Sequence, residues 1–261
     1  MLRAFSTAAT GMVGQQTMVD VISNNLANIN TNGFKRSQVN FQDLMYVKMR
    51  EAGTEVASGI NSPGGTEIGS GVKVGSTVKV YTAGELENTS RPLDVAISGE
   101  GFLQVSMPNG ELNYTRDGSL QMNATGQLVT GTGYTIEPAI TIPSDAVAIT
   151  IGQEGSVSVT NGSGTVSVIG TLQLARFPNP SGLTAKGDNL LAVTEASGAA
   201  TVGQAGADGF GTFQAGFLEK SNVQMVTELV NLITAQRAYE VNSRTIQAGD
   251  DMLQTANQIV K

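Results

Sequence analysis

The chain has 261 residues, enough to bury a genuine core in one large domain or two smaller ones. Its formal net charge is -7 with no basic cluster, which argues against a nucleic-acid role, and no apolar run approaches the ~20 residues of a bilayer span. It contains no cysteine and no histidine, so thiol nucleophiles, disulfides, the commonest general base and the commonest metal ligands are all missing. Residues 1–17 carry one Arg and no continuous apolar stretch, and do not read as a cleavable signal. From Phe5 onward a period emerges: Phe5, Ala8, Met12, Gln15, Val19, Ile22, Leu26 and Ile29 alternate in steps of three and four. That spacing predicts an amphipathic helix with a coiled-coil seam, interrupted once by Gln15. The helix is expected to stop at Asn30-Thr31-Asn32-Gly33, where Asn and Gly tolerate the left-handed conformation.

Residues 46–71 fit neither a helical nor a strand period and centre on Pro63-Gly64-Gly65. They read either as a disordered linker or as an extension ordered by neighbouring subunits. Beyond them Gly, Ser, Thr and Val dominate and the period falls near two. Val72 to Val80, Leu93 to Ile97, Phe102 to Val105, Val147 to Ile151 and Leu172 to Phe177 are predicted strands. Asn109-Gly110 and Asn161-Gly162 are predicted hairpin turns in which both residues take positive φ.

The three-four spacing returns at the C-terminal end. Ser221 or Asn222 is placed to cap a helix, with Val223, Val226, Val230 and Ile233 on one face. Val241, Thr245, Ala248, Met252, Thr255 and Ile259 resume the stripe after a step of eight, which predicts a slip of register near Gln236 to Glu240. The fold class is therefore α+β, with N- and C-terminal helices pairing as a coiled coil around a β-rich, barrel- or sandwich-like middle domain. The expected division is an N-terminal helix in 1–35, an extended linker or intersubunit segment in 36–71, a β-rich domain in 72–220 and a C-terminal helix in 221–261. A helix of about 25 residues is marginal alone. Two such ends either pack on the chain's own β-domain or require partners. Charged residues at 14%, against roughly 25% in an average chain, leave a neutral surface suited to packing against copies of itself.

The run Ser23-Asn24-Asn25-Leu26-Ala27-Asn28-Ile29-Asn30-Thr31-Asn32-Gly33-Phe34-Lys35 closely resembles the N-terminal signature of the flagellar basal-body rod and hook protein family. Ser221-Asn222-Val223, Glu228 to Ile233, and Gln236-Arg237-Ala238-Tyr239-Glu240-Val241-Asn242 resemble its C-terminal signature, extended by Asp251 to Gln254. Leu93 to Ile97, Gly99-Glu100-Gly101-Phe102, Tyr114-Thr115-Arg116-Asp117-Gly118-Ser119, Gly126 to Thr130 and Asn179 to Leu183 resemble motifs of its β-domain. The length and the run Ile140 to Gly152 resemble the distal-rod branch, with the proximal rod as the alternative. The resemblance implies a structural subunit that polymerises into a rigid hollow shaft carrying torque to the hook. The terminal helices would line an export channel, and residues 46–71 would contact neighbours. The implied partners are copies of the chain, adjoining rod and hook subunits, the flagellar export apparatus and surrounding ring proteins, without nucleic acid or membrane insertion. The implied location is the periplasm-spanning axial structure of the basal body. No catalytic, cofactor-binding or metal-ligating residue is assigned. Asn24, Asn25, Asn28, Asn30 and Asn32 are expected to bond backbone at the helix end, or to bond between subunits. Gly33 is expected in a positive-φ turn, and Arg237 and Glu240 either pair or stand solvated.

Two other classes fit the residues less well. An enzyme is disfavoured because the sequence has no G-x-x-x-x-G-K loop and no G-x-S-x-G elbow. Its one acidic doublet, Asp250-Asp251, consists of adjacent helix residues that point apart. A secreted β-rich adhesin fits the Gly/Ser/Thr composition but not the paired terminal signatures.

Overall fold

The computed structural model describes residues 2–51, 55–57, 60, 61 and 64–259. They divide into two compact units. One draws on Met1–Leu26, Ser37–Val78 and Gln224–Lys261, and the other on Ala27–Arg36 and Lys79–Val223.

The first unit holds helices α1, Leu2–Ala27, and α2, Met225–Ile259. Helix α1 stops a little before the expected Asn-rich run, whose first bonds form a turn in which the Thr31 N–H donates to the Asn28 carbonyl. Helix α2 begins after Ser221 and Asn222, and Asn222 is no helix cap because its side chain is bonded elsewhere. It passes through Gln236 to Glu240 without a break in helical structure. The helices touch where Gly249 faces the Phe5 ring and Gly11 faces Asn242. A Cβ at either glycine would lie only 2.8 Å from a Phe5 ring carbon or 2.9 Å from Asn242 Nδ2. The two contacts run in opposite order along the helices, so α1 and α2 are antiparallel there.

The covered face of α1 contains the expected residues: Ala8 and Ile22 are buried, and Phe5, Met12, Gln15, Val19 and Leu26 are half-buried. On α2 the covered face differs from the predicted one. Glu228, Ala235 and Gly249 are buried, with Leu232, Ala238, Asn242 and Ile246 half-buried between them. The stripe read from the sequence, Val226, Val230, Ile233, Val241, Thr245, Ala248, Met252 and Thr255, is exposed. Size is part of the cause: a glycine such as Gly249 lets the two helices approach closely yet adds nothing to an apolar period, and Glu228 and Asn242 on the same face are polar. Val223 is buried but precedes the helix. Ile259 ends α2, and its side chain lies outside the described residues.

This unit also contains the strand pair Ser37–Asp43 with Val72–Lys79. The segment whose order the sequence left open is a strand ribbon over its described residues, Tyr46–Arg50 pairing with Thr66–Gly69 and Glu55–Ala57 with Ile60–Asn61. Pro63 lies outside the described residues. Met45, Tyr46, Val47, Met49 and Ile68 are exposed on the ribbon and its approach.

The second unit is β-rich, and its registered pairings are antiparallel. The main sheet centres on Phe102–Ser106, which pairs along its length with Leu112–Thr115. Its other edge is shared, with Thr135–Glu137 against one half and Gln173–Arg176 against the other. A three-stranded meander, Ala146–Ile151, Ser156–Asn161 and Val166–Thr171, stands as a separate sheet. One apolar cluster joins Val95, Ile97, Leu103, Leu120, Ile151, Val157, Leu172 and Phe213. A smaller one stacks Phe177 edge-on against Phe102 and Tyr114, with centroids 5.8 and 4.8 Å apart.

Five hairpins in this unit share one turn. In 107–111, 123–127, 130–134, 152–156 and 161–165 the first residue's N–H donates to the carbonyl of the fifth, and the fourth residue's N–H donates back to the carbonyl of the first. The fourth residue is glycine each time, with φ of 79 to 90°. This is a type I turn followed by a left-handed bulge residue. The predicted turns therefore change in kind. Asn109 is not left-handed, and in the second loop the left-handed residue is Gly164 rather than Gly162.

Candidate assembly site

The family-signature residues fall on two structures. The first is the end of α1. Asn25 is buried and clamps Ser37 in both directions: its Nδ2 donates to the Ser37 carbonyl and its Oδ1 accepts the Ser37 N–H, each at 2.8 Å. The side chain thus stands in for a neighbouring strand. Replacing Asn25 with Ala would leave both Ser37 backbone groups unpaired, at a cost of about 1–3 kcal/mol. The expected readout is a matching loss of stability in denaturant, with faster hydrogen exchange at the Ser37 amide. Asn24 and Ala27 are exposed, and Leu26, Asn28 and Ile29 are half-buried. The Thr31 hydroxyl donates to Asn28 Oδ1 at 3.2 Å.

The second structure is a buried charge cluster in the β-rich unit. Lys35, 3% exposed, donates its Nζ to Glu219 Oε1 at 2.6 Å and to the Thr82 carbonyl at 2.7 Å. The Arg116 Nε donates to Glu219 Oε2, also at 2.6 Å, and the remaining guanidinium nitrogens reach the carbonyls of Ile97, Gly99 and Gly101. The Gly84 N–H adds a third donor to Glu219, at 2.9 Å on Oε1. Burial alone would raise the Glu219 pKa, but the Arg116 charge and the bonds from Lys35, Arg116 and Gly84 outweigh it and hold the carboxyl below its ordinary value. Burial lowers the Lys35 pKa, and its bond to Glu219 offsets that only in part.

Gly33 belongs to the same structure. Its N–H donates to the Glu219 carbonyl at 2.8 Å, its φ is +67°, and a Cβ there would sit 2.7 Å from the Arg116 backbone. Phe34 beside it is half-buried. Asn222 completes the knot: its Oδ1 accepts the Arg36 N–H and its Nδ2 donates to the Val80 carbonyl, while the Val80 N–H donates to the Arg36 carbonyl. Arg36, Val80 and Asn222 stand at or beside the ends of the two segments that build this unit. One amide side chain therefore fastens three passages of the chain.

Arg116 sits in a motif singled out from the sequence, whereas Glu219 was missed. It follows Phe217 and Leu218 in a short strand and has no distinctive neighbour. The available signal was the pair of cations Lys35 and Arg116 within the signature motifs, which once buried together require an acid.

The third feature is the outer face of α2. Val226 is 75% exposed and Ile233 51%, and Val230, Val241 and Met252 are exposed with them. Gln236, Arg237, Tyr239 and Glu240 are also exposed. The structure thus brings Lys35 and Gly33 together with Glu219, but leaves the α2 signature on an open surface. Among the described residues no three potential metal ligands gather. Nor, among them, is any helix long and apolar enough to cross a membrane.

Three family models match the chain. The flagella basal body rod protein model covers residues 5–35, the flagellar hook protein FlgE/F/G D1 domain covers 96–159, and the flagellar basal body rod FlgEFG protein C-terminal model covers 214–259. The flagellar basal-body rod protein FlgG of Caulobacter vibrioides is 47% identical over 260 residues, covering 99% of each chain. FlgG of Borreliella burgdorferi is 42% identical over 262 residues, again covering 99% of each. FlgG of Bacillus subtilis is 36% identical over 259 residues and 97% of each. These matches run the whole length, through both helices and the β-rich middle. The chain therefore belongs to the FlgG family of flagellar basal-body rod proteins, which are structural subunits and not enzymes.

Proposed function

We propose that this chain is a distal-rod subunit that polymerises into a stiff hollow shaft and passes motor torque to the hook. The observation that carries this reading is the apolar stripe of α2, which lies open while another face of the same helix is covered. An exposed row of Val226, Val230, Ile233, Val241 and Met252 is unfavourable in water and is relieved when other subunits cover it. The antiparallel contacts of α1 and α2 support a coiled-coil pair, with Phe5, Met12, Val19, Ile22 and Leu26 as its N-terminal contribution; Ile29, expected on the same seam, lies past the end of α1. Assembly of several such pairs around an axis would use the outer α2 face and leave a channel for export. The branched main sheet and the meander share one apolar core, which supports a sandwich- or barrel-like outer domain. The exposed strands Tyr46–Arg50 and Thr66–Gly69 are suited to reaching neighbouring subunits. Adjoining rod and hook subunits, the export apparatus and ring proteins are the partners this arrangement calls for.

Electron cryotomography of cells lacking only this gene tests the reading. The expected basal body has a rod that stops short and bears no hook. A complete rod with a hook would overturn it, and a stop close to the inner membrane would assign the chain to the proximal rod instead.

A further inference from the structure

Among the described residues, the meander of the β-rich unit has an edge left open. Val166–Thr171 is the last strand of its sheet and pairs on one side only, with Ser156–Asn161. The turn fixes which backbone groups face outward. Asn161 and Thr165 are hydrogen-bonded across the hairpin, and Thr160 lies opposite Val166, Val159 opposite Ser167, and Ser158 opposite Val168. Hydrogen-bonded and non-bonded pairs alternate along an antiparallel ladder, so Val166 and Val168 fall in non-bonded pairs. Their N–H and C=O groups point away from the sheet. Their side chains are 65% and 66% exposed.

Natural sheets guard such edges with charge, proline or very short strands. Two other edges of this unit show this: Thr184–Gly187 carries Lys186, ion-paired with Glu111, and Gln121–Met122 is two residues long. Ala146–Ile151, the opposite edge of the meander, and Thr201–Gln204 carry neither charge nor proline. Val166–Thr171 has six residues and neither charge nor proline. The whole meander, 146–171, carries a single charge, Glu154 in a turn.

We infer that this edge is an assembly surface, completed by a strand from a second copy of this chain. The inference rests on the polymer reading above. Charge favours a copy over a different protein. Each chain carries -7, so two copies repel except across an uncharged face, and this face offers nothing for an oppositely charged partner to recognise. Pairing of the edge with itself would be isologous and stop at two chains. A growing shaft requires the neighbour to present a different strand, a heterologous contact that propagates.

The test uses proline, which removes one outward N–H. Because that N–H is not part of the intrachain ladder, Val168→Pro should leave the isolated chain folded, as proline is tolerated on an open edge. It should block rod growth, seen as loss of hooks and at least a tenfold fall in swimming cells, whereas Val168→Thr, which keeps the N–H and the branched shape, should assemble normally. Normal rods from Val168→Pro would overturn the inference, as would failure of Val168→Thr to assemble. Where Val168→Pro fails to fold, as judged by circular dichroism of the purified chain, a second measurement decides. The chain has no native cysteine, so Val168→Cys can carry a benzophenone label in purified basal bodies. Irradiation should give a species of twice the 27.0 kDa chain mass. A conjugate with a different protein, or none, would overturn the inference. The rod reading itself would stand so long as the chain is found in those basal bodies.

Discussion

Replacing Glu219 with Gln is expected to lower the unfolding free energy of the β-rich unit by about 3–5 kcal/mol, among the largest effects of any single substitution in the chain. The reason lies in what remains. Lys35 and Arg116 would both stay buried with no anion between them, and the bonds at 2.6 Å to Oε1 and Oε2 would lose their charge. Denaturation followed by the near-ultraviolet dichroism of Tyr81 and Tyr114, both in this unit, measures the change. The pH dependence carries the same signature. The Glu219 carboxyl is held below its ordinary value of 4.5, so its contribution is fully present above that value and is lost as pH falls through its folded pKa. The wild-type chain should therefore destabilise steeply in acid below about 4.5, and Glu219→Gln should flatten that limb. Lys35 works in the opposite sense. Its lowered pKa means that the folded state holds its proton less tightly, and this penalty is relieved as pH rises towards 10.5. An unchanged midpoint in Glu219→Gln would show that the cluster is dispensable.

The second large effect concerns assembly. Ile233→Asp is expected to abolish rod formation while changing the stability of the isolated chain by no more than about 0.5 kcal/mol, because the residue is half exposed and bonded to nothing. A carboxylate inside a closed helical interface would have to be desolvated without a partner, which costs several kcal/mol per subunit and recurs at every contact. Leu26→Asp should also abolish assembly, but with a loss of chain stability, since Leu26 is half-buried on α1. Motility assays paired with denaturation separate the two. Swimming at wild-type speed by Ile233→Asp cells would remove the outer face of α2 from the interface.

These two predictions also mark what the sequence could and could not disclose. Both helices were legible because their apolar residues recur in steps of three and four. The covered face of α2 was not, because Ala235, Ala238 and Gly249 contribute closeness rather than apolar bulk. The strands of the middle were legible from their alternation. Their turns were read in the wrong class because Asn161-Gly162 competes with Gly164, and only the backbone shows which glycine turns left-handed. The signature residues stood out as a motif, but their purpose did not. Asn25 works on Ser37, and Lys35 works on an acid far along the chain, so neither role leaves a local trace.

The distance between Lys35 and Glu219 has a kinetic consequence. Their bond closes a separation of 184 residues, whereas each of the five shared turns closes within five. Local hairpins form in microseconds, and contacts of long sequence separation come later because their loop entropy must be overcome first. The strands of the β-rich unit can therefore organise as soon as each stretch of chain is free. The cations at 35 and 116 find backbone carbonyls nearby but no anion until residue 219 arrives. Final consolidation of the fold is thus timed by the arrival of the segment that leads into α2, and a chain cut short before it should collapse without locking.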